Sequence, residues 1–270
     1  MRAILSKWLP AYAFLYVVFL YLPVIFLPIF SVNTSHVPKF PLMGLTTKWY
    51  VDLPRTPALI DAAWNSLMVG VTAALLATVL GICAARAITR YRFPGRTAAN
   101  GIIMAPLVLP EIILAVSLLI VMLSIGLELS LFTVVLGHVL ICIPYSVTVL
   151  NAGFEGFDRS LEEASADLGE TSFGTFRRVT LPMVAPAIIS SLLVSFTISL
   201  DEFIVAFFLT GTDATLPIYI WGQLRFAAKL PSVLALGTLL LVGSFILLTI
   251  AEVLRRRAER RVHGTGVAIA

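Results

Sequence analysis

The sequence predicts an all-α integral membrane protein with six transmembrane helices. Hydrophobic residues make up 59% of its 270 residues and charged residues only 13%, and its mean hydropathy is +0.98. Soluble domains usually carry about 25% charged residues, so this composition fits a bilayer better than water. The apolar residues are also grouped into long runs, and the basic residues stand at the ends of these runs.

Six runs are long enough to span a membrane, because a helix needs about 20 mainly apolar residues to cross ~30 Å of hydrocarbon. Arg2 and Lys7 precede the first run, as they would in a secretory signal. That run exceeds the ~7–15 residues of a signal core, so we expect a retained helix. We expect residues 1–270 to form a single transmembrane domain. The predicted spans are residues 9–30, 65–88, 98–124, 131–151, 183–209 and 232–254.

The composition also argues against several kinds of site. Cys83 and Cys142 both lie inside apolar runs, which gives no support for a disulfide framework or a cysteine metal site. His138 stands alone in the fourth run without a second ligand at metal spacing, so we predict no metal site. The formal charge is +4, but the position of the basic residues predicts contact with membrane lipid and not with nucleic acid.

The basic residues predict how the chain is oriented, because loops on the cytoplasmic side are enriched in Lys and Arg. With six spans, both termini share a side, and most of the 19 Lys and Arg residues fall on that side. We therefore expect both termini and the segment 152–182 to be cytoplasmic. The residues that carry this prediction are Arg2, Lys7, Arg86, Arg90, Arg92, Arg96, Arg159, Arg177, Arg178, Arg255, Arg256, Arg257, Arg260 and Arg261.

The segment 152–182 is too polar to enter lipid and predicts two short helices joined by a turn. Asp158 or Ser160 can cap the first helix, with acidic residues near its start. Gly169 permits a turn that a side chain would hinder, and Pro182 starts the next span. Such a pair of helices predicts a docking surface, although a solvated linker is the alternative. The second helix carries apolar residues at helical spacing, namely Phe173, Phe176 and Val179.

The same segment resembles the EAA loop of the permeases of binding-protein-dependent ABC importers. Glu163, Ala164, Ser165, Gly169, Val179, Leu181 and Pro182 follow the spacing of that loop. Ser165 replaces an alanine of the pattern and Val179 an isoleucine. Residues 106–119, 162–188 and 199–221 further resemble the spermidine/putrescine-type branch of this family. Together with the order of the spans, the resemblance covers nearly the whole chain.

The resemblance implies a MetI-like permease fold in the bacterial cytoplasmic (inner) membrane. It implies a second homologous permease subunit, two ABC ATPase subunits and an extracytoplasmic solute-binding protein as partners. Residues Glu163, Ala164, Ser165, Gly169, Leu181 and Pro182 would couple the chain to the ATPase. No G-x-x-x-x-G-K-[ST] motif occurs in the sequence. We therefore expect a transport subunit that is not an enzyme and has no cofactor, with ATP and Mg bound by its partners.

Three acidic residues lie well away from the ends of the predicted spans and are candidates for a solute pathway, because buried charges in a membrane usually face a cavity or a partner. They are Glu111, Asp201 and Glu202. Pro106 and Pro110 can bend the third span near Glu111. In the fifth span, helical spacing puts Ser191, Ser195, Ser199 and Glu202 on one face and Ser190, Thr197 and Asp201 on another.

We expect the pathway to use Asp201 first, then Glu111 and Glu202, with Ser195, Ser199 and Thr197 as weaker contacts. Within the predicted spans the only Lys or Arg is Arg86, two residues from the end of the second span, so a polyamine could supply the missing positive charge. The alternative role for the acids is structural, as carboxylates that fix helix packing. Other functions also stay open: import of another small organic cation or zwitterion, a secondary transporter, or an intramembrane enzyme. The sequence shows no inverted repeat, which argues against a secondary transporter. It also shows no catalytic partner for His138, which argues against an intramembrane enzyme.

Overall fold

The computed structural model describes the backbone of residues 2–264 and the side chains of residues 8–246, 249 and 253. Its residues form twelve α-helices, one π turn and two short 3-10 helices within this range. The α-helices are α1 (Arg2–Ser31), α2 (Lys48–Asp52), α3 (Pro57–Arg90), α4 (Arg96–Val108), α5 (Glu111–Ser124), α6 (Leu131–Glu155), α7 (Ser160–Asp167), α8 (Ser172–Thr175), α9 (Leu181–Asp201), α10 (Ile204–Leu209), α11 (Leu216–Gln223) and α12 (Leu230–Gly264).

Five helical stretches among the described residues are long and apolar enough to cross a membrane, or six if the bent pair α4 and α5 counts as one span. The prediction of an all-α membrane protein is confirmed. The stretches are Trp8–Ser31, Pro57–Arg90, Leu131–Glu155, Ser172–Asp201 and Ala227–Ile246. Side chains of the basic residues Arg2, Lys7 and 255–261 lie outside the described residues.

Two predicted spans are not continuous helices. The break in the third span agrees with the bend predicted from Pro106 and Pro110, whereas the break in the fifth span was not predicted. The 98–124 span breaks between α4 and α5, which meet at an angle of 108°. Leu109 is extended there with a ψ of 140°, because a residue before proline is disfavoured in the helical region. The 183–209 span breaks at Glu202, whose ψ is 114°. No proline or glycine occurs at this second break, so the sequence gives no local signal for it.

The chain divides into two compact units. One consists of residues 1–60 and 220–247. In this unit, the buried Trp49 donates its indole N–H to the carbonyl oxygen of Asn33 at 2.8 Å. The Ser31 and Tyr50 hydroxyls also form a hydrogen bond, at 2.5 Å. These contacts attach the short helix α2 to the end of α1.

Residues 61–219 and 248–270 make up the other unit. Its central element is α6, which packs along α9 and also contacts α4, α5 and α10. One apolar cluster, with Leu114, Val134 and Val205, joins α5, α6 and α10. A second cluster, with Leu150 and Phe154, lies at the other end of α6. The two ends of α6 are therefore anchored separately. That 1–270 forms one transmembrane domain stays a prediction.

Candidate docking and pathway sites

Residues 156–180 connect α6 to α9 and form the first candidate site, which we call the connecting segment. It contains α7, a turn at Gly169, α8 and a π turn over Phe176–Thr180. Gly169 has a φ of +85°, which L-residues rarely adopt, and this explains why glycine is needed there. The second helix does not end before Pro182, contrary to our expectation. It continues as one helical stretch over Ser172–Asp201.

The π turn explains why Pro182 does not break this stretch. Proline has no N–H and so removes one hydrogen bond of a regular helix. The π turn ends at Thr180, two residues before the proline. The missing bond therefore falls where the regular i to i−4 pattern is already interrupted.

The start of α7 is capped by Asp158, which was one of the two candidates. The backbone N–H of Ser160 donates to Oδ1 of Asp158 at 2.9 Å. This hydrogen bond stabilises the charged carboxylate and lowers the pKa of Asp158 below its usual value. The cap satisfies one of the free N–H groups at the start of the helix.

Glu162 of α7 has contacts that the sequence did not reveal. Its Oε2 lies 3.0 Å from Nε of Arg90, the last residue of α3. Its Oε1 accepts a hydrogen bond of 2.7 Å from the hydroxyl of the fully buried Thr180. The Arg90 and Glu162 side chains are only 13% and 17% exposed. Pairing across 72 positions has no local sequence signal, and the sequence predicts for Arg90 only a role in orientation.

The predicted coupling residues lie mainly on the outside of the connecting segment. Glu163 and Ala164 are exposed, and Glu163 pairs with Arg159 at 3.3 Å. The Ser165 hydroxyl hydrogen-bonds that of Thr175 at 3.0 Å. Leu181 is half-buried and Pro182 is exposed.

Two large apolar side chains of the connecting segment are also open to the surroundings. Leu168 is 89% exposed and Phe173 72% exposed. Exposed apolar side chains beside a polar helix are typical of a contact surface for another protein. Their role in coupling stays a prediction.

The three acidic residues of the second candidate site all lie at helix breaks. Glu111 is exposed in the first turn of α5, and Asp201 is exposed at the last residue of α9. Glu202 is only 9% exposed, and its Oε1 accepts from the backbone N–H of Val205 at 2.9 Å. It therefore caps the start of α10.

The serines of the predicted pathway face are packed against α6. Ser195 and Ser199 are buried, and the Ser199 hydroxyl hydrogen-bonds Nδ1 of His138 at 2.7 Å. The carbonyl oxygen of Ser195 accepts from Sγ of Cys142 at 3.4 Å. Thr197 is exposed and donates to the carbonyl oxygen of Leu193 at 2.8 Å. The two predicted faces of α9 are thus separate, one between helices and one open. A pathway role for these residues stays a prediction.

A hydroxyl cluster extends the contact between α6 and α9 and joins it to α3. Ser191 lies 2.7 Å from the Ser146 hydroxyl and 3.1 Å from that of Thr78. All three side chains are buried, so these hydrogen bonds hold three helices together. Within the described residues, no group of three or more His, Cys, Asp or Glu side chains could hold a metal ion.

Comparison with known families identifies the type of protein. Residues 77–260 match the family model described as binding-protein-dependent transport system inner membrane component. The chain belongs to this family. It is therefore a multi-pass inner-membrane permease subunit of an ABC transporter, and the family predicted from the EAA loop is confirmed.

Two proteins with similar sequences agree with this assignment. The chain is 34% identical over 248 residues to the spermidine/putrescine transport system permease protein PotC of Escherichia coli (strain K12), covering 91% of this chain and 90% of PotC. It is 36% identical over 264 residues to the putrescine transport system permease protein PotI of the same strain, covering 95% and 93%. Both relatives are similar to this permease along almost its whole length.

Solved structures agree on the fold. A bacterial alginate ABC transporter, in complex with alginate pentasaccharide-bound periplasmic protein, matches with a TM-score of 0.73 at 20% identity over 94% of each chain. The inward-facing MetNI methionine ABC transporter matches with a TM-score of 0.58 at 16% identity, covering 79% of this chain and 99% of the other. At such low identity the likeness shows the fold alone. The predicted MetI-like permease fold is confirmed.

Proposed function

We propose that this permease imports a polyamine, putrescine or spermidine, into the cytoplasm. The observation that carries the proposal is the identity of 34% and 36% to two polyamine permeases over more than nine tenths of the chain. The solute would arrive on an extracytoplasmic binding protein. A second homologous permease would complete the pathway, and two ATPase subunits would bind ATP and Mg and drive alternating access.

The carboxylates at the helix breaks support a cationic solute. Glu111 and Asp201 are exposed within otherwise apolar stretches, and an unpaired charge in such a position is costly unless it meets water or a cation. A fixed negative charge raises the local concentration of a cation and replaces part of its lost hydration. Helix breaks also leave backbone carbonyl groups free to contact the solute.

Uptake measurements test the proposal directly. The permease would be produced with its partner subunits in cells that lack other polyamine uptake, and entry of radiolabelled putrescine and spermidine would be measured. ATP-dependent uptake of either polyamine is expected, with arginine and proline as control solutes. Import of a control solute without import of either polyamine would refute the proposal.

The acidic residues can be tested in the same assay. Asp201→Asn keeps the side-chain shape and removes the charge, so we expect putrescine uptake to fall about tenfold, the effect of losing ~1.4 kcal/mol of interaction. Glu111→Gln should act in the same direction. The matched control is Asp213→Asn, since Asp213 is exposed in the loop after α10. Wild-type uptake by Asp201→Asn, Glu111→Gln and Glu202→Gln alike would show that the acids are structural.

The proposal includes an orientation in which the connecting segment and both termini are cytoplasmic. It is supported by the excess of arginine in these segments, because cytoplasmic loops of membrane proteins are enriched in Lys and Arg. Ser172→Cys and Thr212→Cys introduce thiols at two exposed positions, which the proposed orientation assigns to opposite sides of the membrane. Both are made in a background where Cys83 and Cys142 are replaced by serine. An impermeant thiol reagent should label only Thr212→Cys in intact cells. Labelling of Ser172→Cys in the same cells would reverse the orientation.

A further inference from the structure

The carboxylate of Glu162 contacts both the end of α3 and the residue that immediately precedes α9. Its Oε2 lies 3.0 Å from Nε of Arg90 at the end of α3. Its Oε1 accepts from Thr180, immediately before α9. The Nε contact is an ion pair and lacks the geometry of a hydrogen bond. One side chain of the connecting segment therefore joins α7 to both α3 and α9.

Arg90 is held in this position by further contacts. Its Nη2 donates to the carbonyl oxygen of Phe157 at 3.4 Å, and its guanidinium lies 5.4 Å from the centre of the Phe157 ring. Phe157 lies just beyond the end of α6 and is buried. One turn earlier on α3, the guanidinium of Arg86 lies 4.2 Å from the centre of the Phe176 ring. Both arginines therefore connect the end of α3 to the connecting segment.

Burial makes these contacts different from the other ion pairs of the connecting segment. Arg159 and Glu163 are 66% and 67% exposed, and Arg178 is 75% exposed where it pairs with Glu170. Exposed pairs contribute little because water screens them. The Arg90 and Glu162 pair is largely shielded at 13% and 17% exposure, so removal of one partner leaves a charge without compensation.

We infer that Glu162, through Arg90 and Thr180, transmits movement of the connecting segment to α3 and α9 together. The inference rests on the proposed function, because it takes the connecting segment as the surface that the ATPase moves. The chain itself links α7 only to α6 and α9. The Arg90 contact adds α3, which is remote in sequence. Glu162 and Arg90 are positioning residues and need not touch the ATPase or the solute.

Glu162→Gln and Arg90→Gln test the inference in proteoliposomes that contain the complete transporter. The binding protein would be purified with its natural solute still bound, and the stimulation of ATP hydrolysis that it causes would be measured beside putrescine import. Each variant should keep basal ATP hydrolysis and lose about tenfold in binding-protein stimulation, which corresponds to ~1.4 kcal/mol. Arg178→Gln is the matched control, because it removes an exposed charge from the same segment and should leave stimulation unchanged.

Combined variants show whether the residues act as one unit. The double variant Arg90→Gln/Glu162→Gln should lose no more stimulation than either single variant, because the pair is already broken by one change. Losses that multiply would overturn the inference. Thr180→Val keeps the ion pair and removes only the hydrogen bond at the residue that leads into α9, so it too should reduce stimulation. Wild-type stimulation by Thr180→Val, or by Glu162→Gln, would also overturn it.

The two proposals fail in different ways. If the wild-type transporter responds to its binding protein but imports neither putrescine nor spermidine, the polyamine assignment is wrong and the coupling result still stands. If it imports a polyamine and Glu162→Gln responds like the wild type, only the coupling role of Glu162 is wrong.

Discussion

Glu202 has a structural contact that can be separated from any role in transport. Its Oε1 accepts the backbone N–H of Val205 at 2.9 Å, and Val205 is fully buried. Glu202→Ala would leave that buried N–H without its acceptor. An unsatisfied buried donor costs about 1–3 kcal/mol. At about 2–4 °C per kcal/mol for a chain of this size, the melting temperature should fall by about 2–12 °C.

Glu202→Gln provides the comparison, because its amide oxygen can still accept from Val205. It should lose at most about 1 kcal/mol, the difference between a charge-assisted and a neutral hydrogen bond. Asp201→Ala is the control at the neighbouring exposed residue and should melt like the wild type. Each variant is heated in detergent, and size-exclusion chromatography then measures the fraction of the permease that stays monodisperse. Equal melting of Glu202→Ala and the wild type would refute the capping role.

Two glycines give further predictions. A Cβ at Gly137 would overlap Val205 and Leu209 of α10, so Gly137→Ala should destabilise the permease by about 1–3 kcal/mol in the same heating assay. Gly101→Ala is its control, since a Cβ there meets only open space; equal melting of the two would refute the packing argument. At Gly169, with a φ of +85°, Ala should weaken binding of the ATPase in a pull-down more than Asn does, because Asn tolerates left-handed backbone better. Equal binding by both variants would contradict this.

Much of the architecture follows from local sequence because the bilayer is a strict solvent. Every backbone polar group in hydrocarbon must be satisfied within the chain, so long apolar runs must form helices. The run before Ser31 and the run from Leu131 to Glu155 are therefore visible without a structure. The turn at Gly169 is visible for a similar reason, since few residues other than glycine adopt its backbone conformation.

The breaks within two spans were only partly predictable. Pro110 gives a signal for the break between α4 and α5, because proline restricts the preceding residue. The break at Glu202 has no such signal, since the sequence around it reads Leu-Asp-Glu-Phe-Ile. It is stabilised by the cap on α10 and by the burial of Val205 and Leu209 against α6. Those contacts depend on residues far away in the chain.

The sequence by itself determined the all-α membrane class, the number of apolar runs, the EAA loop and the presence of acids within the spans. Only the tertiary structure decided which side chains meet. It placed Ser199 against His138, Glu202 at the start of α10, and Glu162 between Arg90 and Thr180. The physical reason is range: helix formation and membrane insertion depend on residues within a few turns, whereas a buried ion pair or hydrogen bond forms only where packing brings distant helices together.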